Sequence, residues 1–202
     1  MNEDRTSEIF TLPNVLSFMR VLLAPVFIWA MVTRRPWLAF GIFLLAGATD
    51  ALDGFTARYF HLKSNIGLWL DPLGDKVLLT VAFIFLSFPQ WSTPNTLPLA
   101  LTVICVGRDV LIALGALIYS WIRGRTTFKP SLIGKASTIC QVATLLLVLL
   151  YNGLGWSQVL LNWLYILTAG LTIISGGLYI IVGLKRFAGS AGKAEAEHRP
   201  RS

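Results

Sequence analysis

Long apolar stretches alternate with short polar breaks along this chain. Six stretches, at residues 13–34, 36–59, 71–90, 96–122, 133–152 and 157–184, are apolar along most of their length. Each reaches roughly 18 residues or more, enough for a helix to cross a hydrocarbon core of about 30 Å. The breaks differ in chemistry. Arg34-Arg35-Pro36 parts the first two stretches, a turn-rich run from Phe88 to Asn95 parts the third from the fourth, and Gly153-Leu154-Gly155-Trp156 parts the last two. Gly, Pro and short polar clusters are the usual punctuation between helices. The pattern predicts an all-α integral membrane protein with six transmembrane helices. Residues 7–12 could add a short interfacial helix ahead of the first span. The first stretch is too long for a signal-peptide core and is followed by no small-residue cleavage site, so it reads as a span. Residues 1–188 form one six-helix transmembrane domain on this reading, and the Ala-, Gly- and charge-rich residues 189–202 read as a disordered cytoplasmic tail.

Composition agrees with the pattern. Of 202 residues, 55% are hydrophobic and 13% charged, against about 25% charged in an ordinary soluble domain. The net charge of +7 would suggest nucleic acid as the partner of a soluble protein. Here the cations cluster beside apolar segments, which points to membrane lipids or a phosphorylated substrate and away from nucleic acid. Their distribution also sets orientation. Arg58 and Lys63 follow the second stretch, Arg123, Arg125, Lys129 and Lys135 lie between the fourth and fifth, and Lys185 and Arg186 follow the sixth. With six spans, these segments and both termini share one side, which the positive-inside rule makes the cytoplasm. Arg34 and Arg35 are the exception, on the far side. A bacterial inner membrane suits this layout. Trp37, Trp91, Trp156 and Trp163 lie near stretch ends and read as interfacial anchors. Cys105 and Cys140 fall inside apolar runs and read as small buried hydrophobes.

One segment breaks the apolar logic. Residues 49–76 carry four aspartates, Asp50, Asp53, Asp71 and Asp75. Each costs about 2.5–3.5 kcal/mol at a helix centre in a membrane, and less toward an end. Helical spacing shows how they could be compensated. Asp50, Asp53, Gly54, Ala57 and Arg58 lie at i, i+3, i+4, i+7 and i+8 on one helix face, and Gly67, Asp71 and Asp75 lie at i, i+4 and i+8 on another. Residues 59–66 are short and polar enough to be a surface turn, which would make the two helices neighbours. Two divalent cations would offset the four carboxylates, and a donor set of hard oxygens favours Mg²⁺ or Mn²⁺. A metal pair is a recurrent device for displacement at phosphorus. Gly54 and Gly67 would let a ligand approach the backbone, and Arg58 supplies a fixed cation for phosphate. Asp71 before Pro72 could by itself be a helix cap, but a cap does not account for the whole set.

The run Asp50-x-x-Asp53-Gly54-x-x-Ala57-Arg58, eight further residues, then Gly67-x-x-x-Asp71-x-x-x-Asp75, resembles the signature of the CDP-alcohol phosphatidyltransferases without a departure. The resemblance extends from about Ile9 to Arg186. It implies transfer of a phosphatidyl group from CDP-diacylglycerol to an alcohol, with release of CMP. It also implies Asp50, Asp53, Asp71 and Asp75 as metal ligands, Asp75 as the general base as well, and Gly54, Ala57, Arg58 and Gly67 as the cytidine-diphosphate site. Homodimers are expected by the same analogy.

The acceptor is less sharply written. Residues 11–26, "TLPNVLSFMRVLLAPV", resemble the glycerol-acceptor branches, the phosphatidylglycerophosphate synthases and eukaryotic-type cardiolipin synthases. "GRDVLI" at 107–112 and "KPSLIGKASTICQ" at 129–141 are closer to the cardiolipin synthases. Phosphatidylglycerol and glycerol 3-phosphate both carry phosphate, for which Arg108, Lys135, Arg123 and Arg125 form a candidate pocket. Arg108 follows about a dozen apolar residues, and a buried cation in a span is by default functional. Asp109 could instead be its neutralising neighbour. Inositol phosphate or serine are alternative acceptors. A divalent-cation transporter is a rival class, but the fifth and sixth stretches contain no acidic residue to continue an ion path.

Overall fold

The computed structural model describes the backbone of residues 12–60, 67–123, 131–157 and 161–197. Within these it describes the side chains of 21–49, 76–115, 131–157 and 161–183, with Met19, Leu117 and Ile118. These residues form six helices and no strand: α1 (Leu12–Val32), α2 (Pro36–Phe60), α3 (Gly67–Leu86), α4 (Leu99–Arg123), α5 (Leu132–Leu154) and α6 (Leu161–Glu197).

The helix ends follow local chemistry. α1 closes with Arg34 N–H donating to the Met31 carbonyl (3.0 Å) and Arg35 N–H to that of Ala30 (2.9 Å). Arg34 occupies the left-handed position of this cap, at φ 54°, where glycine is usual and an L side chain costs roughly 1 kcal/mol. Pro36 then opens α2, a position at which its missing N–H costs nothing. α5 starts on Ser131, whose Oγ accepts from Gly134 N–H at 3.0 Å. It ends on Gly155 at φ 69°, with Trp156 N–H donating to the Tyr151 carbonyl at 3.0 Å.

The helices close into a ring. α1 packs against α2 and α3, α2 against α5, α5 against α6 and α6 against α4, while α4 meets α3, and α3 also touches α5. α2 and α3 each pack most extensively on α1 rather than on one another. Small buried residues, Ala24 and Ala30 of α1, Ala39 and Ala46 of α2 and Ala82 of α3, let these backbones approach closely, as helices in lipid require. Phe27, Phe43, Phe83, Leu145 and Leu149 fill the centre. Trp37 of α2 packs against Gly153 of α5, where an added Cβ would sit 2.9 Å from the indole.

The outer surface is apolar. Trp29, Leu45, Val103, Ile139, Trp163, Ile166 and Ile173 are all exposed, far more apolar surface than a soluble monomer leaves uncovered. Among the described residues, α5 and Leu161–Gly183 of α6 are long and apolar enough to cross a membrane. Val21–Val32, Pro36–Thr49 and Lys76–Leu86 are shorter apolar helices.

Three boundaries differ from the sequence expectation. α3 begins at Gly67, so Asp71 lies inside the helix and is not its N-cap. α4 begins at Leu99, because Leu97 N–H is drawn away to the Leu86 carbonyl (2.9 Å) and Pro98 precedes the helix. α6 runs on to Glu197, past Gly189, where composition suggested disorder. Ala191, Lys193, Ala194, Glu195 and Ala196 are strong helix formers, and extending an established helix avoids the cost of nucleation. The interfacial helix expected at residues 7–12 lies outside the described residues, save for Leu12, which starts α1.

Candidate active site

Helix continuity is the first requirement of the aspartate motif, and both helices meet it. α2 is unbroken through Asp50, Asp53, Gly54, Ala57 and Arg58, and α3 through Gly67, Asp71 and Asp75. The i, i+3, i+4 and i+8 spacings therefore hold as one-face registers on real helices, in the last turns of α2 and the first turns of α3. The side chains of these eight residues lie outside the described ones. Among the described residues, no group of three His, Cys, Asp or Glu could hold a metal ion.

Lys76, next to Asp75 in the chain, is the nearest described cation to the motif in sequence. Its Nζ donates to Asp109 Oδ2 of α4 at 2.6 Å. The four motif carboxylates are the candidate metal ligands. Their donor chemistry, hard oxygens without His or Cys, fits Mg²⁺ or Mn²⁺.

Asp109 is the centre of a buried ionic unit. Its other oxygen, Oδ1, accepts from Arg108 Nη1 at 2.7 Å, and both side chains are only 8% exposed. Arg108 Nη2 donates to Ser175 Oγ of α6 at 2.7 Å, and the guanidinium lies over the Tyr179 ring, 5.6 Å from its centre. Two glycines make room for it. A Cβ on Gly134 of α5 would stand 3.3 Å from Arg108 Nη2, and one on Gly176 of α6 would stand 3.5 Å from Arg108 Cγ. Arg108 thus sits among α4, α5 and α6, and Asp109 links it to α3. Among the described residues, two cations share the one Asp109 carboxylate. A guanidinium offers five N–H donors. Two have partners among the described residues, and Nε is buried without one.

The other proposed acceptor residues are more dispersed. Lys135 is exposed on the first turn of α5, one residue after Gly134, which packs beside Arg108. Arg123 ends α4, its side chain outside the described residues, and Arg125 lies wholly outside them.

Sequence reasoning missed the polar seam that continues from this unit. Ser137, Gln141 and Thr144 of α5 face Thr168, Thr172 and Ser175 of α6, all fully buried. Ser137 and Thr172 hydroxyls pair at 3.0 Å, Gln141 Nε2 donates to Thr172 Oγ1 at 3.2 Å, and Thr144 and Thr168 pair at 2.8 Å. The signal was available: both triads are spaced i, i+4, i+7 in otherwise apolar helices, the spacing of an interhelical face.

Residues 10–174 match the CDP-alcohol phosphatidyltransferase family. The chain belongs to that family. All eight motif positions and Arg108 fall inside the matched stretch. The chain is 39% identical over 132 residues to the cardiolipin synthase (CMP-forming) of Rattus norvegicus and 36% identical to that of Homo sapiens. Each match covers 65% of this chain but only 41% of the relative, so the chain spans less than half the length of these relatives. It is also 33% identical over 139 residues to the CDP-diacylglycerol–glycerol-3-phosphate 3-phosphatidyltransferase of Escherichia coli (strain K12), covering 67% of this chain and 75% of that protein. Within a CDP-alcohol phosphatidyltransferase, the buried Arg108 unit lies one residue along the chain from the last motif aspartate, through Lys76.

Proposed function

We propose that this protein transfers the phosphatidyl group of CDP-diacylglycerol to a glycerol-type alcohol and releases CMP. The observation that carries this reading is the family match over residues 10–174, which contains the complete aspartate motif on two continuous helices. The acceptor is phosphatidylglycerol, giving cardiolipin, or glycerol 3-phosphate, giving phosphatidylglycerophosphate. The higher identity to relatives named cardiolipin synthase favours the first.

In this mechanism Gly54, Ala57, Arg58 and Gly67 bind the cytidine diphosphate, and Asp50, Asp53, Asp71 and Asp75 hold two divalent cations. When bound, Mg²⁺ or Mn²⁺ would offset the carboxylates and stabilise charge on the diphosphate. Asp75 takes the proton of the acceptor hydroxyl. The acceptor oxygen attacks the phosphorus that carries diacylglycerol, a new P–O bond forms, and the bond to the CMP phosphate breaks. Arg108, with Lys135, Arg123 and Arg125, attracts the acceptor phosphate. Among the described residues, Arg108 keeps N–H donors beyond the two that pair with Asp109 and Ser175, which suits that task.

The protein spans the membrane six times on this reading, with the aspartate helix ends and both termini in the cytoplasm. Single cysteines at exposed Lys135 on one side, and at exposed Gln90 and Ser157 on the other, test the layout in a background without Cys105 and Cys140. Labelling of Lys135 and Gln90 positions from the same face would break it.

Purified protein given CDP-diacylglycerol and, in turn, phosphatidylglycerol, glycerol 3-phosphate, inositol phosphate and serine tests the activity. Cardiolipin or phosphatidylglycerophosphate should form with an equal yield of CMP. Product only from inositol phosphate or serine would overturn the glycerol assignment.

A further inference from the structure

We propose that Asp109 and Lys76 are positioning residues for phosphatidyl transfer: their ion pair fixes α3, and with it Asp71 and Asp75, against the helix that carries Arg108. The inference rests on the function proposed above and adds two residues outside the aspartate motif.

Asp109 is the one acidic residue between Asp75 and Glu195. It is buried in an apolar helix, and both of its oxygens are taken by cations from different places. Oδ2 holds Lys76 of α3 at 2.6 Å, and Oδ1 holds Arg108 of its own helix at 2.7 Å. Adjacent residues on a helix diverge by about 100°, so the Arg108–Asp109 contact requires both side chains to bend toward one point. That point is where Lys76 arrives. α3 and α4 otherwise share few contacts compared with the extensive packing of α3 on α1. Among the described residues the ion pair is the charged link between them, about two turns along from the hydrogen bond that Thr102 Oγ1 donates to the Phe83 carbonyl at 3.3 Å. Because Lys76 adjoins Asp75, its tether sets the rotation and height of the α3 turn that bears the proposed base. Misplacement of a reacting group by about 1 Å can cost on the order of 100-fold in rate.

The two arms of Asp109 predict different kinetic signatures. The Lys76 arm positions the base, so its loss should lower kcat. The Arg108 arm, completed by Ser175, presents a cation to the acceptor, so its loss should raise the acceptor KM. A residue that only stabilises the fold would lower the melting temperature and leave both parameters of the folded enzyme unchanged.

The test uses the full chain in detergent or nanodiscs, with CDP-diacylglycerol and the acceptor that the parent turns over. Lys76→Met should lower kcat about tenfold or more with the acceptor KM unchanged. Lys76→Arg, which keeps a cationic donor to Asp109, should retain most of kcat. Asp109→Asn should lower kcat and raise the acceptor KM together. Adding Lys76→Met to Asp109→Asn should lower kcat little further, as expected for one shared interaction. Lys76 is 39% exposed, so its variants are tolerated by the fold even if Asp109→Asn is not, and they decide the matter alone. Unchanged kcat in folded Lys76→Met, or equal losses in Lys76→Met and Lys76→Arg, overturns the positioning role while leaving the transferase reading intact. A folded parent that transfers to no acceptor overturns both.

Discussion

Arg108 and Ser175, 67 residues apart in sequence, meet at 2.7 Å between α4 and α6. The contact uses one guanidinium nitrogen while the other holds Asp109 and the plane covers Tyr179. Lysine carries the same charge but lacks the planar fork whose two nitrogens reach Asp109 and Ser175 while its face covers Tyr179. Arg108→Lys should therefore raise the acceptor KM about tenfold, or about 1.4 kcal/mol, while the KM for CDP-diacylglycerol stays within about twofold. Steady-state kinetics with each substrate varied in turn checks this split. Equal effects on both substrates would place Arg108 in the fold and not in acceptor recognition.

At the opposite end of the bundle, Asn152 pins the connection between α3 and α4. Its Oδ1 accepts from Asn95 N–H at 2.8 Å and from Asn95 Nδ2 at 3.0 Å, and its Nδ2 donates to Ser92 Oγ at 2.9 Å and to the Asn95 carbonyl at 3.0 Å. Asn152→Ala leaves several buried partners unmatched and should destabilise the protein by about 2 kcal/mol. The melting temperature in detergent should fall. kcat of the folded fraction should not change, because this end is remote from the aspartate helix ends.

Close packing around the guanidinium gives a third expectation. A Cβ at Gly134 would stand 3.0 Å from Ser131 Oγ, the cap of α5, and 3.3 Å from both Arg108 Nη2 and Tyr179 Cε2. Gly134→Ala should displace the guanidinium by a few tenths of an ångström and raise the acceptor KM, by about threefold. Gly177→Ala on α6, where an added Cβ meets nothing within 4 Å, is the matched control and should behave as the parent. Identical kinetics for the two variants would show that the Arg108 cradle has slack.

Much of this arrangement was legible in the sequence because lipid leaves a chain few choices. Six apolar stretches became six helices, broken at Arg34-Arg35-Pro36, at the 87–98 connection and near Gly155. Arg108 could be marked from the apolar run before it. Its partners could not. Ser175 is an ordinary residue within an apolar helix until folding brings α6 to α4. The Arg108–Asp109 pair forms despite the roughly 100° divergence of neighbours because the long arginine side chain folds back onto the short Asp109 carboxylate. The boundaries at Leu99 and Glu197 were misplaced for local reasons: one backbone N–H drawn to Leu86, and an Ala-, Lys- and Glu-rich segment that prolongs a helix already formed. The aspartate spacing was fully legible, and the helices keep its register.

On the proposed function, the aspartates of α2 and α3 carry out metal-dependent phosphatidyl transfer with Asp75 as base. CMP release from CDP-diacylglycerol, measured on purified parent and Asp75→Asn with and without chelator, tests it most directly. The parent should release CMP only with acceptor present, lose that activity in excess chelator and regain it with Mg²⁺ or Mn²⁺. Asp75→Asn should still bind CDP-diacylglycerol and turn over about 10²–10⁴-fold more slowly, the usual contribution of a general base. Normal turnover by Asp75→Asn, or full parent activity in chelator with no metal left in the protein, would contradict the account.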